Sequence, residues 1–149
     1  MMSHILNVDF HILATTNQMQ AMHYACQYID KTLAKQTGVY LHTETKADAE
    51  RLDTLLWTFR EDSFLPHTLY QPEQTEISPI QIGYRGNTLP TGKTMLNLSQ
   101  HLPENYAKYS QIIEIVTADP IMQQLARERF KHYRDQGHHI NTHKMKTYD

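Results

Sequence analysis

The chain has 149 residues, of which 40% are hydrophobic, and this length suits one domain with its own core. Lysine and arginine number 14 against 16 aspartates and glutamates, so any attraction to nucleic acid has to come from a local patch. No stretch reaches the roughly 18 apolar residues of a membrane span, and Cys26 is the only cysteine. We therefore expect a single domain over residues 1–149, cytoplasmic and without membrane contact.

The first half of the chain alternates strand-like and helix-like segments. Residues 4–13 predict a strand, and the Thr-Thr-Asn run after it supplies N-cap candidates for an amphipathic helix reaching about residue 33. Residues 39–41 form a second short apolar run. Thr45, followed three residues later by Asp48, resembles a capping box that begins another helix.

The second half predicts strands and a final helix. A loop rich in proline, glutamine and glutamate covers residues 67–78, and short apolar runs at 80–83, 95–98 and 112–116 predict three strands. Asp119 followed by proline predicts the start of the last helix. Repeated strand-helix alternation predicts a single-domain, Rossmann-like α/β fold with a mostly parallel sheet flanked by helices.

Nucleotide-binding loops do not fit this sequence. The turn after the first predicted strand has no glycine, so a pyrophosphate could not approach the backbone there. The run GNTLPTGKT at residues 86–94 has five residues between its glycines, whereas a phosphate-binding loop needs four. We expect no cofactor.

The sequence does not bring together a set of metal-binding or catalytic side chains either. His138, His139 and His143 are the densest of ten histidines, but they follow Gly137 in a predicted tail, which favours solvated or locally hydrogen-bonded rings over metal ligands. Cys26 lies on an apolar helix stripe and is expected to be a buried small hydrophobe. No carboxylate pair or Ser/His/Asp set can be placed together, so we expect neither a metal nor a catalytic residue.

The last predicted helix, residues 119–136, has two different faces. At about 100° per residue, one face gathers three cations and an aromatic ring, and the opposite, apolar face is expected to dock on the core. We expect Phe130 to point outward and not into the core. The acids Glu128 and Asp135 are expected to point away from the basic residues of this face. The members of the basic face are Arg127, Phe130, Lys131 and Arg134.

Three interpretations of this basic face are possible. The simplest is a solvated charged face. The exposed ring among unmatched cations favours instead an acidic peptide with apolar anchors, or single-stranded nucleic acid held by phosphate pairing and base stacking. The net charge of −2 makes strong nucleic-acid binding the weaker alternative.

A second candidate surface surrounds Trp57. This residue lies roughly 120° from the apolar stripe of the second predicted helix, so it is not expected in the core. The apolar segment Ser-Phe-Leu-Pro-His at 63–67 follows closely. The pattern alone favours equally a protein-binding hot spot and a loop that folds back into the core.

Several longer motifs resemble one known family. They are Arg51-Leu52-Asp53, Leu56-Trp57, the segment 63–67, and the run LARERFKHYRDQG at 125–137 followed by Ile-Asn-Thr at 140–142. In order and spacing they resemble the chi subunit of the bacterial DNA polymerase III holoenzyme along most of the chain. The resemblance implies a Rossmann-like accessory subunit without catalytic activity of its own.

The resemblance also implies two protein partners. One is the psi subunit, through which the chain would join the clamp-loader complex, and the other is the acidic C-terminal tail of single-stranded DNA-binding protein, so that any DNA contact would be indirect or weak. Phe130 stands where family members often have tyrosine, and Gln123 stands where a lysine can occur. The implied tail-binding residues are Val116, Arg127, Phe130 and Lys131, to which the helical position adds Arg134. The implied psi-binding residues are Trp57, Phe64, Leu65 and Pro66.

Overall fold

A computed structural model describes residues 5–33, 38–58, 67–69, 80–86, 93–103 and 105–145. Its strands are β1 (Asn7–Ile12), β2 (Val39–Thr43), β3 (His67–Leu69), β4 (Ile80–Tyr84), β5 (Thr94–Asn97), β6 (Gln111–Val116) and β7 (His139–Lys144). Its α-helices are α1 (Gln18–Tyr28), continued by a π-helical turn (Ile29–Leu33), α2 (Lys46–Thr58) and α3 (Pro120–Asp135), and a 3₁₀ turn spans Tyr106–Lys108.

All seven strands form one sheet in the order β3-β4-β2-β5-β6-β1-β7. Each neighbouring pair runs parallel. Helices α1, α2 and α3 connect β1 to β2, β2 to β3 and β6 to β7, which are pairs of strands that are not neighbours in the sheet. The predicted α/β fold with a mostly parallel sheet is confirmed.

The three helix starts follow from local capping chemistry. The Asn17 side chain accepts hydrogen bonds from two N–H groups of the first turn of α1. The Thr45 hydroxyl accepts from the N–H of Asp48 at 3.1 Å, as the capping box predicts. Asp119 accepts from the N–H of Met122 at 3.0 Å, and proline occupies the first turn of α3.

The sheet separates two apolar clusters. The first holds the buried apolar residues of α1 and α2, and the second holds the buried apolar residues of α3. Alternation along β2 shows the division, because Val39 and Leu41 belong to the first cluster and Tyr40 to the second. Helix α3 therefore lies on the opposite face of the sheet from α1 and α2.

Both edge strands differ from the sequence-based expectation. The segment 67–69 lies within the predicted loop but pairs with β4. The histidine-rich segment expected to be a tail is β7, which pairs with β1 along its whole length. An exposed edge strand has no apolar face to bury, so the alternating pattern that predicts strands is weak in β7.

None of the helices in the described parts of the chain is long and apolar enough to cross a membrane.

Candidate functional site

The stripe of α3 that faces the sheet contains both apolar and charged residues. Its buried residues are Ala126, Arg129 and Tyr133. Met122 and Leu125, expected on the docking face together with Ala126 and Tyr133, are only half-buried. Arg129 lies at the centre of this buried stripe and contacts Glu114 of β6.

The buried arginine belongs to a hydrogen-bonded network around Glu114 of β6. The Glu114 carboxylate is 0% exposed and accepts from Nε of Arg129 at 3.1 Å, from the hydroxyl of Tyr133 at 2.7 Å and from Nδ2 of Asn97 at 3.1 Å. A second nitrogen of Arg129 donates to the backbone carbonyl of Gln100 at 2.7 Å. Burial, followed by the nearby Glu114 charge, raises the pKa of Tyr133 well above its ordinary value. The network therefore attaches α3 to β6, β5 and the loop after β5.

Sequence reasoning missed this network, although two signals point to it. Glu114 is the only charged residue of β6 and interrupts its apolar run at 112–116. Arg129 lies three residues after Ala126 and four before Tyr133, which is the spacing of one helical stripe. A buried carboxylate needs a partner of this kind, because an unpaired buried charge is strongly destabilising.

The remaining cations of α3 form the exposed face that the sequence predicts. Arg127, Lys131 and Arg134 are all exposed. Arg127 donates to Oε1 of Gln124 at 3.4 Å, and Lys131 forms no ion pair with any other described residue. Arg134, expected to be unmatched, approaches the Asp135 carboxylate at 3.5 Å, which corrects that expectation. Both partners are exposed and the distance is long, so this pair is weak.

Phe130 and Val116 are less accessible than expected. Phe130 is half-buried, with its ring centroid 5.6 Å from that of Phe10 on β1. The expectation that it points away from the core is wrong, because Arg129 faces the sheet and leaves Phe130 at the edge of the buried stripe. Val116 is 2% exposed and belongs to the same apolar cluster. The two residues share one region, with Val116 beneath the surface.

On the other face of the sheet, Trp57 of α2 is 51% exposed, which confirms that it is not core. The other three residues implied to bind psi, Phe64, Leu65 and Pro66, lie outside the described residues. An open cavity of about 470 Å³ lies between α1 and α2, and its lining includes Met19, Arg51 and Leu55 but not Trp57.

The histidines after α3 make long-range hydrogen bonds. His138 accepts from the backbone N–H of Leu6 through Nδ1 at 3.1 Å, and its Nε2 lies 3.1 Å from the hydroxyl of Tyr106. His143 lies 3.1 Å from the Asp9 carboxylate of β1. These rings attach β7 to the sheet. No group of three or more histidine, cysteine or acidic side chains in the described segments could hold a metal ion.

Cys26, the one thiol, is fully buried. Burial raises its pKa to about 12, so it stays protonated and acts as a small apolar side chain, as expected.

Fold and surfaces together define a parallel α/β domain that carries a basic face on one side of its sheet and an exposed tryptophan on the other. The family model described as DNA polymerase III chi subunit, HolC, matches residues 5–141. The chain therefore belongs to the DNA polymerase III chi subunit family, and its role is that of an accessory subunit in DNA replication.

Individual relatives agree with this assignment. The chain is 29% identical over 138 residues to DNA polymerase III subunit chi of Pseudomonas aeruginosa, covering 93% of this chain and 96% of that protein. It is 29% identical over 135 residues to that of Haemophilus influenzae, covering 90% and 94%. For that of Escherichia coli, identity is 25% over 141 residues, covering 91% and 96%.

A solved structure of another protein has a similar fold. The C-terminal domain of the DEAD-box protein Dbp5 superposes with a TM-score of 0.59 over 93% of this chain and 91% of that chain. Sequence identity is 14%, so the likeness concerns the fold alone.

Proposed function

We propose that this chain bridges the psi subunit and the acidic C-terminal tail of single-stranded DNA-binding protein, within the clamp-loader complex of DNA polymerase III. One observation carries the proposal: the basic face of α3 and the exposed Trp57 of α2 lie on opposite faces of the sheet. Two partners on opposite faces do not exclude each other. Linking two modest contacts in one subunit raises the effective concentration of each partner near the other.

The chemistry of the α3 face supports an acidic tail as ligand. Arg127 and Lys131 are exposed, and neither forms an ion pair with a described residue, so both can pair with carboxylates. The half-buried ring of Phe130 beside them offers apolar surface for a hydrophobic residue at the end of the tail. Arg134 contributes less in this proposal because Asp135 competes for it.

A peptide titration tests the tail site. The probe is a synthetic peptide with four acidic residues followed by a terminal phenylalanine with a free carboxylate, titrated at low salt. Arg127→Ala should weaken binding by about five- to tenfold, because a charge-assisted hydrogen bond is lost. Arg51→Ala, an exposed arginine on α2, is the matched control and should bind as wild type. Equal affinities of wild type and Arg127→Ala would refute the tail site.

The same assay separates the tail from nucleic acid as the ligand of α3. If the face binds single-stranded DNA directly, an oligothymidine should displace the peptide, and its affinity should fall steeply as salt rises. We expect no displacement at the low salt of the titration, where direct binding of DNA would be strongest.

Binding of the psi subunit tests the opposite face. Trp57→Ala should weaken psi binding at least tenfold, because exposed tryptophans are frequent interface hot spots. Ile121→Ala is the control, since Ile121 is 70% exposed on α3 and lies on the other side of the sheet. Phe64→Ala extends the test to the apolar segment after α2. Unchanged psi affinity in Trp57→Ala, with an unchanged circular dichroism spectrum, would remove Trp57 from the interface.

A further inference from the structure

Three residues on adjacent strands lie in one row across the sheet. Val116 of β6 is in register with Ile12 of β1, and Ile12 is in register with Lys144 of β7. Neighbouring strands are about 4.8 Å apart, so the Cα of Lys144 is roughly 10 Å from that of Val116. Side chains in register on adjacent strands point to the same face. Val116 and Ile12 both contact the cluster under α3, so Lys144 projects on the α3 side of the sheet.

The accessible apolar surface in this row belongs to Ile12 and not to Val116. Val116 is 2% exposed, so it can support a ligand only from below. Ile12 and Phe130 are half-buried and pack against the same cluster. The cluster is thus open to solvent between α3 and the outer edge of the sheet.

Cations border this opening on both sides. Arg127 and Lys131 lie on α3, and Lys144 lies across from them on β7, exposed and without an ion pair to any described residue. The nearby acid Asp9 is in register with Asn141, so it projects on the opposite face, where it contacts His143. From residue 137 to 145 the chain has no acidic side chain. An anionic ligand therefore meets positive charge from two directions.

We propose that Ile12 and Lys144 complete the acidic-tail site, which is a shallow groove between α3 and the edge strand β7. The inference rests on the proposed function. The last hydrophobic side chain of the tail packs against Ile12 and Phe130, and tail carboxylates lie between Arg127 of the helix and Lys144 of the strand. The site thus spans two structural elements instead of one helix face.

Charge variants of Lys144 test the strand side of the groove with the same acidic peptide at low salt. Lys144→Ala should weaken binding about two- to fivefold, the range of one exposed ion pair, and Lys144→Glu should weaken it further. Lys93→Ala and Lys93→Glu are matched controls, because Lys93 is an exposed lysine outside the groove. The inference is overturned if the Lys144 and Lys93 variants bind alike.

A pair of isoleucines tests the apolar floor. Ile12 and Ile140 are both half-buried against the same cluster, but Ile140 is in register with Val8, toward the other end of the strands. Ile12→Ala should weaken peptide binding at least threefold. Ile140→Ala should cost similar stability in thermal unfolding and leave affinity unchanged. Equal affinities of the two variants would exclude Ile12 from the site.

Arg127→Ala, measured in parallel, distinguishes failure of the extended groove from failure of the tail site itself. If it weakens binding while Lys144 and Ile12 variants do not, the tail site exists but is confined to α3. If Arg127→Ala also binds as wild type, the proposed function itself fails.

Discussion

Glu114 of β6 and Arg129 of α3 form an ion pair in which carboxylate and guanidinium are 3.1 Å apart, with side chains 0% and 5% exposed. The pair fixes the rotation of α3 about its axis. With Arg129 facing the sheet, the helical period turns Arg127 and Lys131 outward and leaves Phe130 at the boundary. The candidate tail site is therefore oriented by a buried polar contact.

Glu114 and Arg129 should be strongly coupled in their contributions to stability. Arg129→Met or Glu114→Gln alone should lower the free energy of unfolding by about 3–5 kcal/mol, because each leaves a buried charge without its counter-ion. The double variant should lose much less than the sum of the two. Denaturant unfolding of all four proteins gives this coupling.

Strictly additive losses would contradict the prediction and would mean that the other donors to Glu114, Asn97 and Tyr133, stabilise it without Arg129.

The sequence predicts most of this architecture for reasons that are local. Caps at Asn17, Thr45 and Asp119 depend on side chains within three residues of the N–H groups that they accept from. The apolar strands β2 and β6 and the exposed cations of α3 follow from periodicity. Such signals need no knowledge of the tertiary fold.

What the sequence does not predict depends on contacts between distant residues. His138 contacts Leu6 across 132 positions, so the role of the histidine-rich segment in β7 has no local signal. The burial of Arg129 depends on Glu114, and the half-burial of Phe130 depends on Phe10. Positions of this kind are decided by packing, which overrides the helical pattern.

Acidic conditions should destabilise the fold through His42. This ring is 3% exposed, with Nδ1 2.8 Å from the hydroxyl of Tyr40, and burial lowers its pKa from 6.5 to about 4, partly opposed by Glu44. Between those values the unfolded chain binds a proton that the folded chain does not. The free energy of unfolding should therefore fall below pH 6.5, by at most about 1.4 kcal/mol per pH unit from this group, and stay level above it.

Unfolding measured from pH 7.5 to pH 5 checks this dependence. His42→Gln should show a shallower decline below pH 6.5, whereas His139→Gln, on an exposed ring of β7, should follow wild type. An unchanged slope in His42→Gln would contradict the assignment. Burial also lowers the pKa of His11, so a smaller decline should remain in every variant that keeps this residue.

Gly83 on β4 should not tolerate a side chain. A Cβ added there would lie 2.5 Å from the hydroxyl oxygen of Tyr40 and 2.9 Å from its ring carbon Cε1. Gly83→Ala should lower the free energy of unfolding by about 1–3 kcal/mol through overpacking. Adding Tyr40→Phe should recover part of that loss, whereas Tyr40→Phe alone should be destabilising because it removes a partner of His42. Independent, additive effects would show that the two positions do not clash.

A gain in affinity provides the sharpest test of the basic face, under the proposed function. Gln123 lies one turn before Arg127 on the same flank of α3 and is half-buried. Gln123→Lys should tighten binding of the acidic peptide about two- to fivefold at low salt, and the gain should shrink at 0.5 M salt as the charges are screened. Thr54→Lys adds the same charge to exposed surface of α2 on the other face. Equal tightening by both variants would mean that overall charge, and not a site on α3, attracts the peptide.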